Sequence, residues 1–185
     1  MVAHAQGSKI MKDWIPAEWL KDVESFDLAA CKNEATGTKW NLFLQHQRLR
    51  KAARALFDAG YFLEDITGMD GKEGIEVIYH FNQYEKPSRV TLRTLIVHEN
   101  PEIPTISDII PAANWHEREC YDFFGITFTG HPNLIPLLLP DNFGFHPLLK
   151  KEDKRVSLFD SLSNCQTIGV KVPCVESPEN PSDKE

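Results

Sequence analysis

Residues 74–81 read GIEVIYHF, and this stretch decides the fold. Ile75, Val77, Tyr79 and Phe81 alternate, so a pleated strand places all four on one face, whereas helical spacing would scatter them. Residues 89–98, RVTLRTLIVH, repeat the pattern with Val90, Leu92 and Ile96 on one side. Between the two runs, NQYEKPS supplies turn formers. The pair therefore predicts an antiparallel hairpin with a loop of about five to seven residues. Upstream, YFLEDITGMDGKEG reads as a strand entering a loop. Gly68, Gly71 and Gly74 in that stretch contain no G-x-G phosphate motif and fit a hairpin loop.

Two segments carry helical periodicity. In residues 42–59, LFLQHQRLRKAARALFDA, the apolar residues Leu42, Leu49, Ala52, Ala53, Leu56 and Phe57 recur at three- and four-residue spacing. Arg48, Lys51, Arg54 and Asp58 point elsewhere, and Gly60 stands where a left-handed cap belongs. Residues 105–125, TISDIIPAANWHERECYDFFG, predict a helix turn, a proline break and a helix over about 112–124 ended by Gly125. Helices beside a hairpin sheet give an α+β class: a two-layer helix-on-sheet domain with an extended proline-rich C-terminal arm.

The boundaries follow. Residues 1–40 form an irregular N-terminal segment in which SFDLAACKNEATGTKW (25–40) reads as loop or short irregular pieces. Residues 41–129 form the core domain, 130–172 the arm, and 173–185 a tail expected to be disordered when free. In the arm, Pro132, Pro136, Pro140 and Pro147, with Gly144, exclude a long helix or a central strand.

The 185 residues are 42% hydrophobic and 25% charged, enough for one cored domain. A formal net charge of -7 lacks the basic footprint that nucleic-acid binding needs. The richest apolar stretch, LIPLLLP at 134–140, is too short for a membrane span, and the N-terminus has no apolar signal core. The expectation is a soluble intracellular protein that can still sit on a membrane complex. Cys31, Cys120, Cys165 and Cys174 form no C-x-x-C pair, so free thiols are expected, and no iron–sulfur or zinc ligand spacing is present.

The densest chemistry lies in NWHERECYDFF (114–124). On a helix Arg118 and Asp122 can pair, while Glu119 and Asp122 share a face with Trp115. That face could hold a carboxylate pair for acid–base work or a divalent ion, but no phosphate loop or nucleophile turn lies nearby, and the plainer reading is an ion-pair network holding the helix in place, anchored by Phe123 and Phe124. His116, His131 and His146 stand fifteen residues apart without ligand spacing. The His-Pro pairs at 131 and 146 fit turns whose imidazoles bond to backbone or to a carboxylate. No G-x-S-x-G element occurs, and Cys120 lies beside Glu119 rather than beside cations. Lys150, Lys151, Lys154 and Arg155 make a small basic cluster, either a solvated face or a docking patch.

ERECYDFFGITFTGHPNL (117–134), followed by LLLPDN and HPLLKK, resembles the 30-kilodalton subunit family of respiratory complex I, the C subunit of bacterial NADH:quinone oxidoreductases. Glu117, Arg118, Glu119, Asp122, Phe123, Phe124, His131, Leu137 and Leu138 fit the family pattern, and the resemblance spans about residues 40–152. Ile135 and Pro136 stand where the family has basic residues, and Phe145 and Leu149 replace its Gly and Arg. Those departures bear on charge contacts with a partner. TGHPNL favours the quinone oxidoreductase branch over related hydrogenase subunits.

The resemblance implies a structural subunit with no cofactor, metal or active site of its own. It would be peripheral on the cytoplasmic side of the cell inner membrane, in a complex whose iron–sulfur clusters, FMN and quinone belong to other subunits. It implies docking on the large hydrogenase-like (D-type) subunit and the iron–sulfur subunits, with the segment after Gly130 crossing the former. Arg118, Glu119 and Asp122 would form a charge network. The implied interface and assembly residues are Trp115, Glu117, Arg118, Glu119, Asp122, Phe123, Phe124, Gly130, His131, Pro132, Leu137, Leu138, His146, Pro147 and Lys150. Two rivals stand beside it. One is the equivalent scaffold of an energy-converting hydrogenase or formate hydrogenlyase. The other is a freestanding metalloenzyme using Glu117, Glu119, Asp122 and His131.

Overall fold

The computed structural model describes residues 26–31, 37–38, 40–84, 89–158 and 165–168, the first and last of these as backbone only. The expectations for residues 1–25 and for the 173–185 tail lie outside the described residues. Strand β4 (Ile75–Asn82) and strand β5 (Val90–Ile96) form the antiparallel hairpin that the alternation requires, with Tyr79 opposite Leu92 and Phe81 opposite Val90. Ile75, Val77, Tyr79, Phe81, Val90 and Leu92 are all buried. Strand β3 (Phe62–Asp70) pairs antiparallel with β4, with an irregularity between Leu63 and Asp65.

The sheet is larger than the hairpin. Strand β1 (Phe26–Cys31) pairs antiparallel with β2 (Trp40–Leu44), and β2 runs parallel to β5 with Leu42 opposite Leu92. With β8 (Cys165–Ile168), the order is β3-β4-β5-β2-β1-β8. Short strands β6 (Glu102–Pro104) and β7 (Thr127–Thr129) form a separate parallel pair.

Two expectations are corrected here. Phe26–Cys31, read as loop or short irregular pieces, is a sheet strand. Within the expected helix over 42–59, only Leu49–Asp58 is α-helix (α1), preceded by a 3₁₀ turn over His46–Arg48, while Trp40–Leu44 is strand. Trp40, Leu42 and Leu44 alternate, and pairing with β5 buries them in the sheet; tertiary pairing overrides a helical spacing that becomes unambiguous only from Leu49. Phe57, assigned to the apolar stripe of α1, is exposed, whereas Leu49, Ala52, Ala53 and Leu56 are buried. Cys31 and Cys165 are register partners in the β1–β8 pair.

Helix α2 (Ala113–Phe124) matches its expected span. Gly125 ends it with φ 70° in the left-handed region, which a glycine adopts without steric cost. One buried cluster joins Leu42, Tyr79, Phe81 and Leu92 of the sheet to Leu49, Ala53 and Leu56 of α1 and to Ala113, Cys120 and Phe124 of α2. Both helices therefore share one core with the sheet, an α+β fold. The other sheet face is polar yet also buried: Arg93 bonds Glu76 at 3.0 Å and Asn41 at 3.0 Å, with Thr91 beside them in the sheet.

Candidate functional site

Ala113, Glu117, Cys120 and Phe124 are spaced by four, three and four residues, so all four face inward along α2. Glu117 is consequently fully buried. Its carboxylate accepts the Ile106 N–H at 2.8 Å and the Thr105 hydroxyl. Arg50 donates to the Thr105 carbonyl at 2.5 Å and forms a bidentate pair with Asp108 at 2.7 Å. The loop before α2 is thus tied to α1 and to the inside of α2. Burial pushes the Glu117 carboxyl up to about 7, against the pull of the bonds from Ile106 and Thr105.

The outer face of α2 carries the arm. Arg118 does not ion-pair with Asp122; its Nε donates to the Ile135 carbonyl at 3.0 Å and its Nη2 to the Pro136 carbonyl at 2.8 Å. One turn on, Asp122 Oδ2 accepts three consecutive backbone N–H groups, from Leu137, Leu138 and Leu139, at 2.9, 2.7 and 3.1 Å. Arg118 and Asp122 therefore hold the same short segment, one through its carbonyls and the other through its amides. Burial raises the Asp122 carboxyl, but the three amides and nearby Arg118 outweigh it and bring it below the ordinary carboxylate value. The expected three-membered charge network is corrected accordingly: Glu119 points to solvent, and the other two bind backbone.

Further along, His146 Nδ1 meets the Asp122 carbonyl at 2.8 Å, and Leu148 N–H donates to the Phe123 carbonyl at 3.1 Å. The arm then reaches the β3–β4 turn. Asp70, fully buried, accepts Lys150 N–H at 2.7 Å and bonds His98 at 2.7 Å and Arg155 at 3.1 Å. Glu73 accepts the Ser157 hydroxyl and Leu158 N–H, and Lys72 N–H donates to the Val156 carbonyl.

The remaining predicted site residues separate into two groups. Trp115, Glu119, Gly130, Pro132, Leu138, Pro147 and Lys150 are exposed, and the Arg118 guanidinium lies 5.7 Å over the Trp115 ring. Glu117, Asp122 and Phe124 are buried, and the His131 side chain is fully enclosed, while Phe123 and Leu137 are half-buried. His131 Nδ1 accepts the Asn133 N–H and Nε2 faces the Asn114 carbonyl, so this histidine closes a turn as its His-Pro sequence suggested. His116 lies 3.2 Å from Asp65. Of the metalloenzyme set, His131 Nε2 stands 3.8 Å from Glu117 Oε2, but Glu119 is exposed and Asp122 is taken up by the arm amides. Among the described residues no three His, Cys, Asp or Glu side chains are grouped to hold a metal ion. Burial pushes the Cys120 thiol far up. The cavity between β3 and α2, about 50 Å³ and lined by Gly68, Cys120, Phe124 and Leu148, is well below the roughly 300–1,000 Å³ of small-molecule sites.

Sequence reasoning missed Asp70, Glu73, Thr105 and the Arg50–Asp108 pair. The acidic residues interleaved with glycine in MDGKEG were the available signal for the first two.

Among the described residues no helix is long and apolar enough to cross a membrane. Residues 42–158 match the family described as respiratory-chain NADH dehydrogenase, 30 Kd subunit. The C subunit of NADH-quinone oxidoreductase from Roseiflexus sp. (strain RS-1) is 38% identical over 117 residues, covering 60% of this chain and 67% of that one. The C/D subunit of NADH-quinone oxidoreductase from Pseudomonas paraeruginosa is 33% identical over 150 residues, 81% of this chain and 23% of the relative. Among solved structures, the trypsin-resistant fragment (1–134) of Nqo5 aligns with TM-score 0.53 and 28% identity, over 64% of this chain and 95% of that one. A chain of the membrane-bound sulfane sulfur reductase, an archaeal respiratory membrane complex, aligns with TM-score 0.65 and 25% identity, over 85% and 89%. The chain belongs to the family of the 30-kilodalton subunit of respiratory-chain NADH dehydrogenase, the C subunit of respiratory complex I.

Proposed function

We propose that this chain is a cofactor-free structural subunit of the peripheral arm of a proton-translocating NADH:quinone oxidoreductase. It positions the large D-type subunit and the iron–sulfur subunits while electrons pass to quinone, from the cytoplasmic side of the inner membrane. Iron–sulfur clusters, FMN and quinone are carried by its partners, and no active site lies on this chain. One observation carries the reading. Of the eleven large apolar residues exposed among those described, eight are Trp115 and residues between Ile135 and Val156. The arm turns its backbone amides and carbonyls inward to Arg118, Asp122, Asp70 and Glu73 and its leucines and phenylalanines outward. A concentration of exposed apolar side chains on a rigidly held segment is the signature of an interface. The large D-type subunit is the favoured occupant because relatives named as C/D subunits carry a match to this chain within a much longer polypeptide.

The test is to tag the chain, purify it gently from solubilised membranes and identify what accompanies it. Iron–sulfur and membrane subunits with quinone reductase activity are expected, and Arg118→Ala is expected to abolish that assembly. An intact complex carrying Arg118→Ala and lacking only turnover would count against the reading, as would a chain that purifies alone.

The likeness to a chain of the sulfane sulfur reductase complex favours one second reading, the equivalent scaffold in an energy-converting hydrogenase or formate hydrogenlyase. Oxidation of NADH, against oxidation of hydrogen or formate, by the purified complex separates the two.

A further inference from the structure

Between Lys150 and Leu158 the arm has almost no apolar anchorage. Lys150, Lys151, Glu152, Asp153, Lys154 and Val156 are exposed, and only Leu158 is buried. That side chain sits against Gly71, where an added Cβ would stand 2.3 Å from it, a contact only a glycine permits. Everything else holding this stretch is polar and converges on residues 70–73 of the β3–β4 turn. Asp70 gathers the Lys150 amide, Arg155 and His98; Glu73 gathers Ser157 and the Leu158 amide; Gly71 and Val156 form a parallel bridge. Asp70 is well built for this task. Its side chain is wholly enclosed, and the three donors outweigh a burial that would otherwise raise its carboxyl, leaving it lowered. Immediately before this stretch stand Phe145, Leu148 and Leu149, three of the outward-facing apolar residues, joined to α2 by His146 and by the Leu148 amide.

We infer that Asp70 and Glu73 form a latch that fixes residues 150–158 of the arm and so sets the position of the Phe145–Leu149 lobe for docking on the large D-type subunit. The inference rests on the docking reading given above. Asp70 is enclosed and Glu73 half-buried, each taken up by the arm, so both are positioning residues. A segment held by a few polar contacts at one end opens locally at low free energy, so loss of the latch frees the arm without unfolding the sheet. Binding would then have to re-order it, and the lost affinity is the cost of that ordering.

The experiment uses the full chain and the purified large D-type subunit. Affinity is measured for wild type, Asp70→Asn, Glu73→Gln and the core control Ile103→Val, alongside the rate of tryptic cleavage of the free chain at Lys150, Lys151, Lys154 and Arg155. Asp70→Asn and Glu73→Gln are expected to speed that cleavage and to weaken binding about ten-fold or more. Ile103→Val is expected to lower the melting temperature while leaving affinity unchanged, which separates positioning from general stability. Should Asp70→Asn fail to fold, Glu73→Gln alone decides. A wild-type chain that binds, beside latch variants that bind equally well, overturns the inference alone. A wild-type chain that does not bind overturns the docking reading and the inference with it.

Discussion

The sheet core and the arm are stabilised by opposite means. In the core, side chains face inward and backbone groups pair strand to strand: Tyr79, Phe81 and Leu92 are enclosed, and their amides and carbonyls belong to ladders. In residues 134–158 the polarity is inverted. Backbone groups face inward to four charged side chains, and most of the large apolar side chains, Leu134 and Leu158 apart, are partly or fully exposed. A chain with four prolines in and just before this stretch has fewer amides to donate and cannot build ladders, so carboxylates and a guanidinium substitute for a neighbouring strand. The difference teaches why a segment with this much leucine is not core. Its backbone is used to hold it down, which leaves the leucines free to meet something else.

The largest expected effect breaks the core and takes the arm with it. Phe81→Ala removes a fully buried ring from the centre of the sheet, for a loss of about 3–5 kcal/mol in urea unfolding. Loss of protection everywhere in hydrogen exchange is expected; a loss confined to the arm would break the comparison. Next is a carboxyl buried on the core side. Glu117 lies on the core stripe of α2 and is raised to about 7 by burial. A carboxyl raised in the folded state binds its proton more readily there than in the unfolded chain. Stability therefore falls as pH rises from about 4.5 to about 7 and levels off above it, by on the order of 3 kcal/mol in the limit of a full shift. Glu117→Gln should flatten this interval of the stability–pH curve. A slope that survives the substitution assigns it to another group.

Asp122→Ala sharpens the contrast, because it leaves the core untouched and orphans three arm amides at once. With water able to reach part of the vacated site, the expected loss is about 2–3 kcal/mol, and exchange should rise in residues 135–149 and not in β4 or β5. The Asp122 carboxyl is lowered in the folded state, so the sign is opposite to that of Glu117. Its contribution is complete above the unfolded-state value of about 3.9 and is lost as pH falls through the lowered value. Acid should loosen the arm before the sheet.

How much of this was legible follows from the same contrast. The hairpin was readable because Ile75, Val77, Tyr79 and Phe81 record the strand period directly, and α2 because its end is marked by Gly125. The strand Trp40–Leu44 was not. A five-residue run, apolar but for Asn41, beside a strong helix shares its spacing, and the parallel partner β5 tells the two apart. The inward place of Glu117 was written in its distance from Ala113, Cys120 and Phe124, yet an acid amid charges reads as surface until the helix is packed. For Arg118 and Asp122, four-residue spacing suggested that they bind each other. Their real partners are backbone groups of a segment about fifteen residues away, which no local pattern encodes. Asp70 and Glu73 are harder still, since they act on residues about eighty positions further along the chain.

The smallest expected effect on the fold decides what the inversion is for. Leu138 is 61% exposed and Trp115 64%, so neither buries much apolar area in the isolated chain. Truncating either to alanine should change stability by no more than about 0.5 kcal/mol, the range of ordinary surface substitutions. An arm that served only to cover α2 would put such side chains inward, and their removal would then register in unfolding and nowhere else. If instead the arm and the outer face of α2 present them, Leu138→Ala and Trp115→Ala should leave the melting curve in place and reduce recovery of the large D-type subunit with the tagged chain. Aromatic anchors dominate interfaces of this kind, so the larger reduction is expected for Trp115, whose ring is held by Arg118. Stability loss without loss of partner would make the exposed leucines mere packing, and the arm a cover rather than a contact.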